Sequence, residues 1–134
     1  LLNLYKYLYD RQISNCKYIT TARDFHGDPV RKFFEIPALG SLLLCVPPCN
    51  FNHIGYISGQ HYINLDPKNF EKSIIDALNN QNLEKIALEG REITEKNHTI
   101  FARASQIDIC IENILNHKYS RSYWEEGKFI CESK

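Results

Sequence analysis

The residues with the clearest capacity for chemistry run Gly27-Asp28-Pro29-Val30-Arg31-Lys32-Phe33-Phe34-Glu35-Ile36-Pro37-Ala38-Leu39-Gly40. A glycine-containing loop feeding a helix presents unpaired backbone N–H groups at the positive end of the helix dipole, which suits an anion. Arg31 and Lys32 in the first turn oppose that dipole by roughly a few tenths of a kcal/mol each, and a bound phosphate reverses the sign. A plainer reading uses the same residues. Asp28 caps the helix with Pro29 at its first position, and Glu35, four residues beyond Arg31, closes a surface ion pair. The residues alone leave both readings open.

Other polar residues point to structure rather than chemistry. His98-Thr99 falls at a helix start, where Asn97 or Thr99 caps and His98 packs locally. Arg91 and Arg103 are expected to pair with helix carboxylates, and Asp66, Glu71 and Asp76 to form a helix cap and a solvated face. His53 and His61 flank a loop and are expected to be solvated, while Tyr56 is expected in the core rather than stacked on a base. The cysteines, Cys16, Cys45, Cys49, Cys110 and Cys131, are odd in number and form no C-x-x-C pair. Cys45-x-x-x-Cys49 with His53 is too thin for zinc, so no metal is expected, and the thiols read as reduced in a cytoplasmic compartment. Asn97-His98-Thr99 matches the glycosylation sequon by chance.

These residues need a frame. The chain has 134 residues, 43% apolar and 24% charged, ordinary for one globular domain. Lys plus Arg and Asp plus Glu are 16 each, so the electrostatic footprint of a nucleic-acid binder is missing. No apolar run is long enough to span a membrane, and the start has no basic leader. Apolar residues at 1, 4, 5, 8 and 9 predict a helix over 1–13, followed by a strand at 16–20 and a loop at 21–28. A helix is then predicted from Asp28-Pro29 to about Leu39, with Gly40 as its stop. The run 41–46, SLLLCV, reads as a strand buried on both faces, and a loop at 47–59 leads to a short strand at 61–65. Asp66-Pro67 opens a helix to about Asn79, and helices follow at 83–96 and 99–117. The stretch 118–134 has no assignable structure and is treated as a tail. Alternation with buried strands predicts an α/β fold, a parallel sheet with helices on both faces, whose ligands bind beyond the carboxyl ends of the strands.

The motif Arg31-x-Phe33-Phe34-Glu35-Ile36-Pro37-Ala38-x-Gly40, followed by an apolar strand, resembles the signature of group 1 glycosyltransferases, specifically the spore-maturation-type (CgeB-like) branch. Gly59-x-x-Tyr62, Ile86-Ala87-x-x-Gly90-Arg91 and His98-Thr99-x-x-x-Arg103 continue the likeness in order and spacing across residues 5 to 115. The resemblance implies a two-Rossmann (GT-B type) glycosyltransferase. Residues 1–117 would be its carboxy-terminal lobe, Rossmann-like and three-layered, incomplete at its amino end and inactive without the amino-terminal lobe. It implies that Glu35 holds the ribose hydroxyls of a nucleotide-diphospho-sugar donor, and that Arg31 and the backbone from Gly27 through Asp28 to Val30 face the diphosphate. No cofactor is implied. Relatives carry a further acid where this chain has Gly27, so the sugar contacts differ, or the chain is an inactive glycosyltransferase-like binding or scaffolding module.

Overall fold

Three short strands, β1 (Tyr18–Thr21), β2 (Leu42–Cys45) and β3 (Ile63–Asn64), pair in parallel in that order in the computed structural model, which describes residues 2–134. Tyr18 stands opposite Leu42, and Leu44 opposite Ile63. All four β2 residues are buried, as the uninterrupted apolar run demands. Side chains alternate across a strand, so the four divide between two cores. Leu43 and Cys45 join Phe33 and Ile36 of helix α2 (Lys32–Ala38) together with Phe51, Tyr56 and Tyr62. Leu42 and Leu44 join Leu65, Ala77 of α3 (Phe70–Leu78) and Ile86 of α4 (Leu83–Asn97). Helices therefore cover both faces, and the chain is mixed α/β with a small parallel sheet.

The first core is aromatic. Phe51 stacks on Tyr56 with ring centroids 4.3 Å apart and planes 3° apart, and Phe33 and Tyr62 meet Phe51 edge-on. Thr94 donates to the carbonyl of Gly90 at 2.7 Å, so the buried Tyr56 hydroxyl is the donor in its 2.5 Å bond to Thr94. The Ser41 hydroxyl lies 2.6 Å from the Ile13 carbonyl and 2.7 Å from that of Cys16, tying the end of α1 (Leu2–Ser14) to the sheet. Helix α5 (Ile100–Leu115) has no buried residue and leaves Ile100, Phe101 and Leu115 exposed.

Several expectations need correction. The predicted helix start at Leu1 lies outside the described residues. Helix α2 begins at Lys32, not at Asp28-Pro29, and Asp28 caps nothing. Asp24 captures it instead: the Asp28 N–H donates to Asp24 Oδ1 at 2.6 Å while the Asp24 N–H donates to the Asp28 carbonyl, closing a small loop that postpones the first helical turn. Asp66 likewise precedes α3 by four residues, accepting from the Lys68 N–H and the Asn69 amide. The third strand is two residues long and excludes His61 and Leu65. The stretch left unassigned is an antiparallel hairpin of β4 (Tyr119–Glu125) and β5 (Lys128–Ser133). Its turn residues, Glu126 and Gly127, both have positive φ (48° and 76°), as a two-residue hairpin turn twisted to match its strands requires. The hairpin docks through a pair of glycines, since a Cβ on Gly55 would stand 2.8 Å from the Gly127 Cα.

Of the glycines, Gly90 has the least room for a side chain. Its Cα passes so near the His61 carbonyl that any side chain would collide with that backbone oxygen. A Gly90→Ala variant gains helix propensity yet is expected to lose about 1–3 kcal/mol, because α4 must retreat from the loop that builds the aromatic core. Urea unfolding with the midpoint lowered at unchanged slope checks this.

Candidate functional site

All three strands end at one edge of the sheet. Thr20, Thr21, Ala22 and Arg23 at the end of β1, Val46 after β2, Leu65 after β3 and Phe70 at the start of α3 wall a hollow of about 450 Å³ there. This is the carboxyl edge, where open α/β sheets bind their ligands. The wall is mostly apolar, and Arg23 is the charged residue among those that line it. The Arg23 guanidinium also touches Cys49 Sγ at 3.8 Å. Beyond it the 24–28 loop carries Phe25, 98% exposed, with His26 edge-on at 5.6 Å. A hollow with apolar walls and an arginine among its lining residues can accept an anionic ligand with a flat ring.

The residues expected to bind do not gather in this hollow. Gly27 sits in the left-handed region at φ 87°, and a Cβ there would stand 2.8 Å from Cys49 Sγ. Its N–H donates to the Asp24 carbonyl and its carbonyl accepts from Cys49. With the Asp28 N–H also spent on Asp24, two of the amides expected to meet a diphosphate are already satisfied. Val30 packs against the aromatic core. The N–H groups of Val30, Arg31 and Lys32 have no acceptor among the described residues. Arg31 and Glu35 do meet: Arg31 Nε lies 2.7 Å from Glu35 Oε1, with the Glu35 side chain only 25% exposed. The second oxygen accepts from the Tyr9 hydroxyl at 3.3 Å. Burial, and after it the neighbouring carboxylate, raises the Tyr9 phenol. Glu35 thus bridges α1 and α2, and it lines neither the carboxyl-edge hollow nor two others. One of those, at the amino ends of the strands, lies among Lys17, Tyr18, Gly40, Leu83, Glu84, Ala87, Leu88 and Arg91, and the other among Gln60, His61, Glu89, Glu92, Ile93 and Lys96.

His98 is the hub that the sequence only hinted at. Its ring stacks on Tyr56 at 5.2 Å and on Trp124 of the hairpin at 5.3 Å. Arg103 donates to Nδ1 at 2.9 Å, so Nε2 carries the proton and donates to the Ile54 carbonyl at 2.9 Å. The same guanidinium lies over the Trp124 ring at 4.7 Å. Burial first, and then the Arg103 charge, pushes His98 down to about 4. This is structure, as expected, and Thr99 caps α5 by accepting from the Ala102 N–H. Arg103 departs from expectation: it holds an imidazole, an indole and Gln106 instead of a helix carboxylate, and burial lowers its own pKa. Arg91 does pair with Glu95. His61 is no solvated loop residue, for its Nδ1 accepts from the Ile57 N–H and burial lowers its pKa. Tyr56 is fully buried. Burial raises Cys45 to about 12, which leaves that thiol inert. Among the described residues no group of three or more His, Cys, Asp or Glu is placed to hold a metal ion, and no helix is long and apolar enough to cross a membrane.

Compared with known proteins, the chain matches no family model, no curated protein and no solved structure.

His98 is neutral in the fold and ordinarily titrates near 6.5 in an unfolded chain. A depressed folded-state pKa means the unfolded chain binds the extra proton first. Stability is therefore intact above about pH 6.5 and declines as pH falls towards about 4. The loss is expected on the order of 1–2 kcal/mol after discounting for solvent screening. Thermal unfolding across this range should show the decline, and a His98→Gln variant should be less stable at neutral pH but flatter in its dependence.

Proposed function

We propose that the chain is the carboxy-terminal, donor-binding lobe of a two-Rossmann (GT-B type) glycosyltransferase that takes a nucleotide-diphospho-sugar. The observation that carries this reading is the hollow at the carboxyl edge of the parallel sheet, with Arg23 on its wall and the exposed Phe25 two positions further along the chain. The four motifs in register around Glu35, Tyr62, Gly90 and His98 support it. In this reading the base lies against the apolar wall and Phe25, and the diphosphate turns towards Arg23 and Arg31. Those guanidiniums stabilise the charge that develops on the diphosphate as the sugar leaves for its acceptor. The resemblance assigns the ribose diol to Glu35; since that carboxylate lines no hollow and is held by Arg31 and Tyr9, taking the diol requires it to leave both partners for charge-assisted bonds from the sugar hydroxyls. The acceptor site and any catalytic base belong to an amino-terminal lobe, the expected partner.

One observation favours a second reading. Gly27 is held at positive φ against Cys49, so its position cannot take the acid that relatives place there without rebuilding the loop. A lobe that binds nucleotide without gripping the sugar would be a glycosyltransferase-like binding module rather than an enzyme.

Titrating the chain with a panel of nucleoside diphosphates, followed by backbone amide shifts, tests the first reading. Millimolar-range shifts concentrated on Thr20, Thr21, Arg23 and Phe70 are expected, and Arg23→Ala should weaken binding about tenfold, the worth of one charge-assisted contact. Shifts confined to Lys17, Leu88 and Arg91, or none at all, would contradict it. A nucleotide-diphospho-sugar that binds no better than its nucleoside diphosphate supports the binding module instead.

A further inference from the structure

Cys110 of α5 and Cys131 of β5 are both free and partly buried, and their sulfurs lie 3.6 Å apart although they stand 21 positions apart in the chain. Two donors converge on Cys131 Sγ, the Cys110 thiol and the Asn113 side-chain amide at 3.3 Å. The sulfurs stand almost at contact, and roughly 1.5 Å of further approach reaches the disulfide length of about 2.05 Å. Helix α5 has no buried residue, and it meets the hairpin at two places: Arg103 over the Trp124 ring, and further along this pair with the neighbouring Ser133–Asn113 bond of 3.5 Å. Neither cysteine belongs to either core cluster, so a small local displacement at this end of α5 closes the gap while Arg103 keeps its place.

We propose that Cys110 and Cys131 form a reversible thiol–disulfide exchange site that clips the β4–β5 hairpin to α5. The oxidant is a small-molecule disulfide. The Cys131 sulfur, as thiolate, attacks it, forming a mixed disulfide and expelling one small thiolate. The Cys110 sulfur then attacks Cys131 Sγ, the mixed bond breaks, and the second small thiolate leaves. Two protein thiols are oxidised, one small disulfide is reduced to two thiols, and the two protein protons pass to the departing thiolates. Closure fixes the strand paired to Trp124, whose indole rests on His98, so the clip also fastens the hairpin over the aromatic core. The other cysteines have no such partner: Cys45 is buried, and Cys16 and Cys49 lie exposed on other segments.

The test is equilibration of the chain in glutathione buffers of graded redox potential, followed by rapid alkylation and peptide mapping under non-reducing conditions. The expected product is a Cys110–Cys131 cross-linked peptide, formed equally in a Cys16→Ser/Cys49→Ser double variant. The oxidised chain should melt several degrees above the reduced one. In Cys110→Ser the intermediate cannot resolve, so Cys131 should accumulate a lasting glutathione adduct and the oxidation-dependent rise in Tm should vanish. Oxidation that leaves Cys110 and Cys131 open to alkylation while Cys16 or Cys49 reacts would overturn the proposal. So would a cross-linked chain that melts no higher than the reduced one.

Discussion

Strand β2 has no wet face. Leu43 and Cys45 meet α2 and the aromatic core, while Leu42 and Leu44 meet α3 and α4, so each successive residue needs cover from the opposite side. Burying each leucine is worth about 1.5–3 kcal/mol, and that gain disappears for whichever pair loses its layer. Two layers of helix around one short strand follow from this demand, as does the parallel crossing that brings all three strands to an end on one edge. The hollow beside Arg23 is a by-product of that geometry: strands stop, loops turn back towards helices, and a gap opens between them.

A second layer of order is built on the first. Tyr56 is locked by Thr94, and on its ring rests His98, held neutral and fixed in one tautomer by Arg103 and the Ile54 carbonyl. Trp124 lies on the far side of that imidazole, which is how the hairpin reaches the core without burying strands of its own. Much of the periphery hangs from this stack. Helices α1 and α5 contribute little beyond Ile13 to the core, and elements with few buried contacts open at lower free energy than the global fold. Fold and stability thus reside around β2, and the outer elements borrow theirs.

Much of this frame was legible. An unbroken SLLLCV can be satisfied only by burial on both faces, and Gly40 does end α2 at φ 85°. Local capping rules failed where a nearer competitor intervened. Asp28-Pro29 carries a helix-start signal, but Asp24, four residues back, takes the Asp28 amide first. The hairpin was missed because Glu-Gly is a weaker turn signal than Asn-Gly and its apolar residues pack on a histidine rather than a sheet core. At the site, the general rule for parallel sheets pointed to the loop that carries Arg23, whereas the motif pointed to Glu35, which the fold pairs with Arg31 and Tyr9. Pattern in sequence identifies a carboxylate but not which neighbours already occupy it. Nor could spacing reveal that Cys110 faces Cys131, since that contact needs both α5 and the hairpin in place.

The central claim is that ligand enters at the carboxyl edge of the sheet. Photolabelling with an azido-substituted nucleoside diphosphate, with the modified peptide sequenced and unlabelled nucleotide as competitor, addresses it most directly. Competable label within residues 20–28 or on Phe70 is the predicted result. Label that settles instead on the opposite edge, near Lys17, Leu88 and Arg91, would contradict it, as would label that unlabelled nucleotide fails to displace.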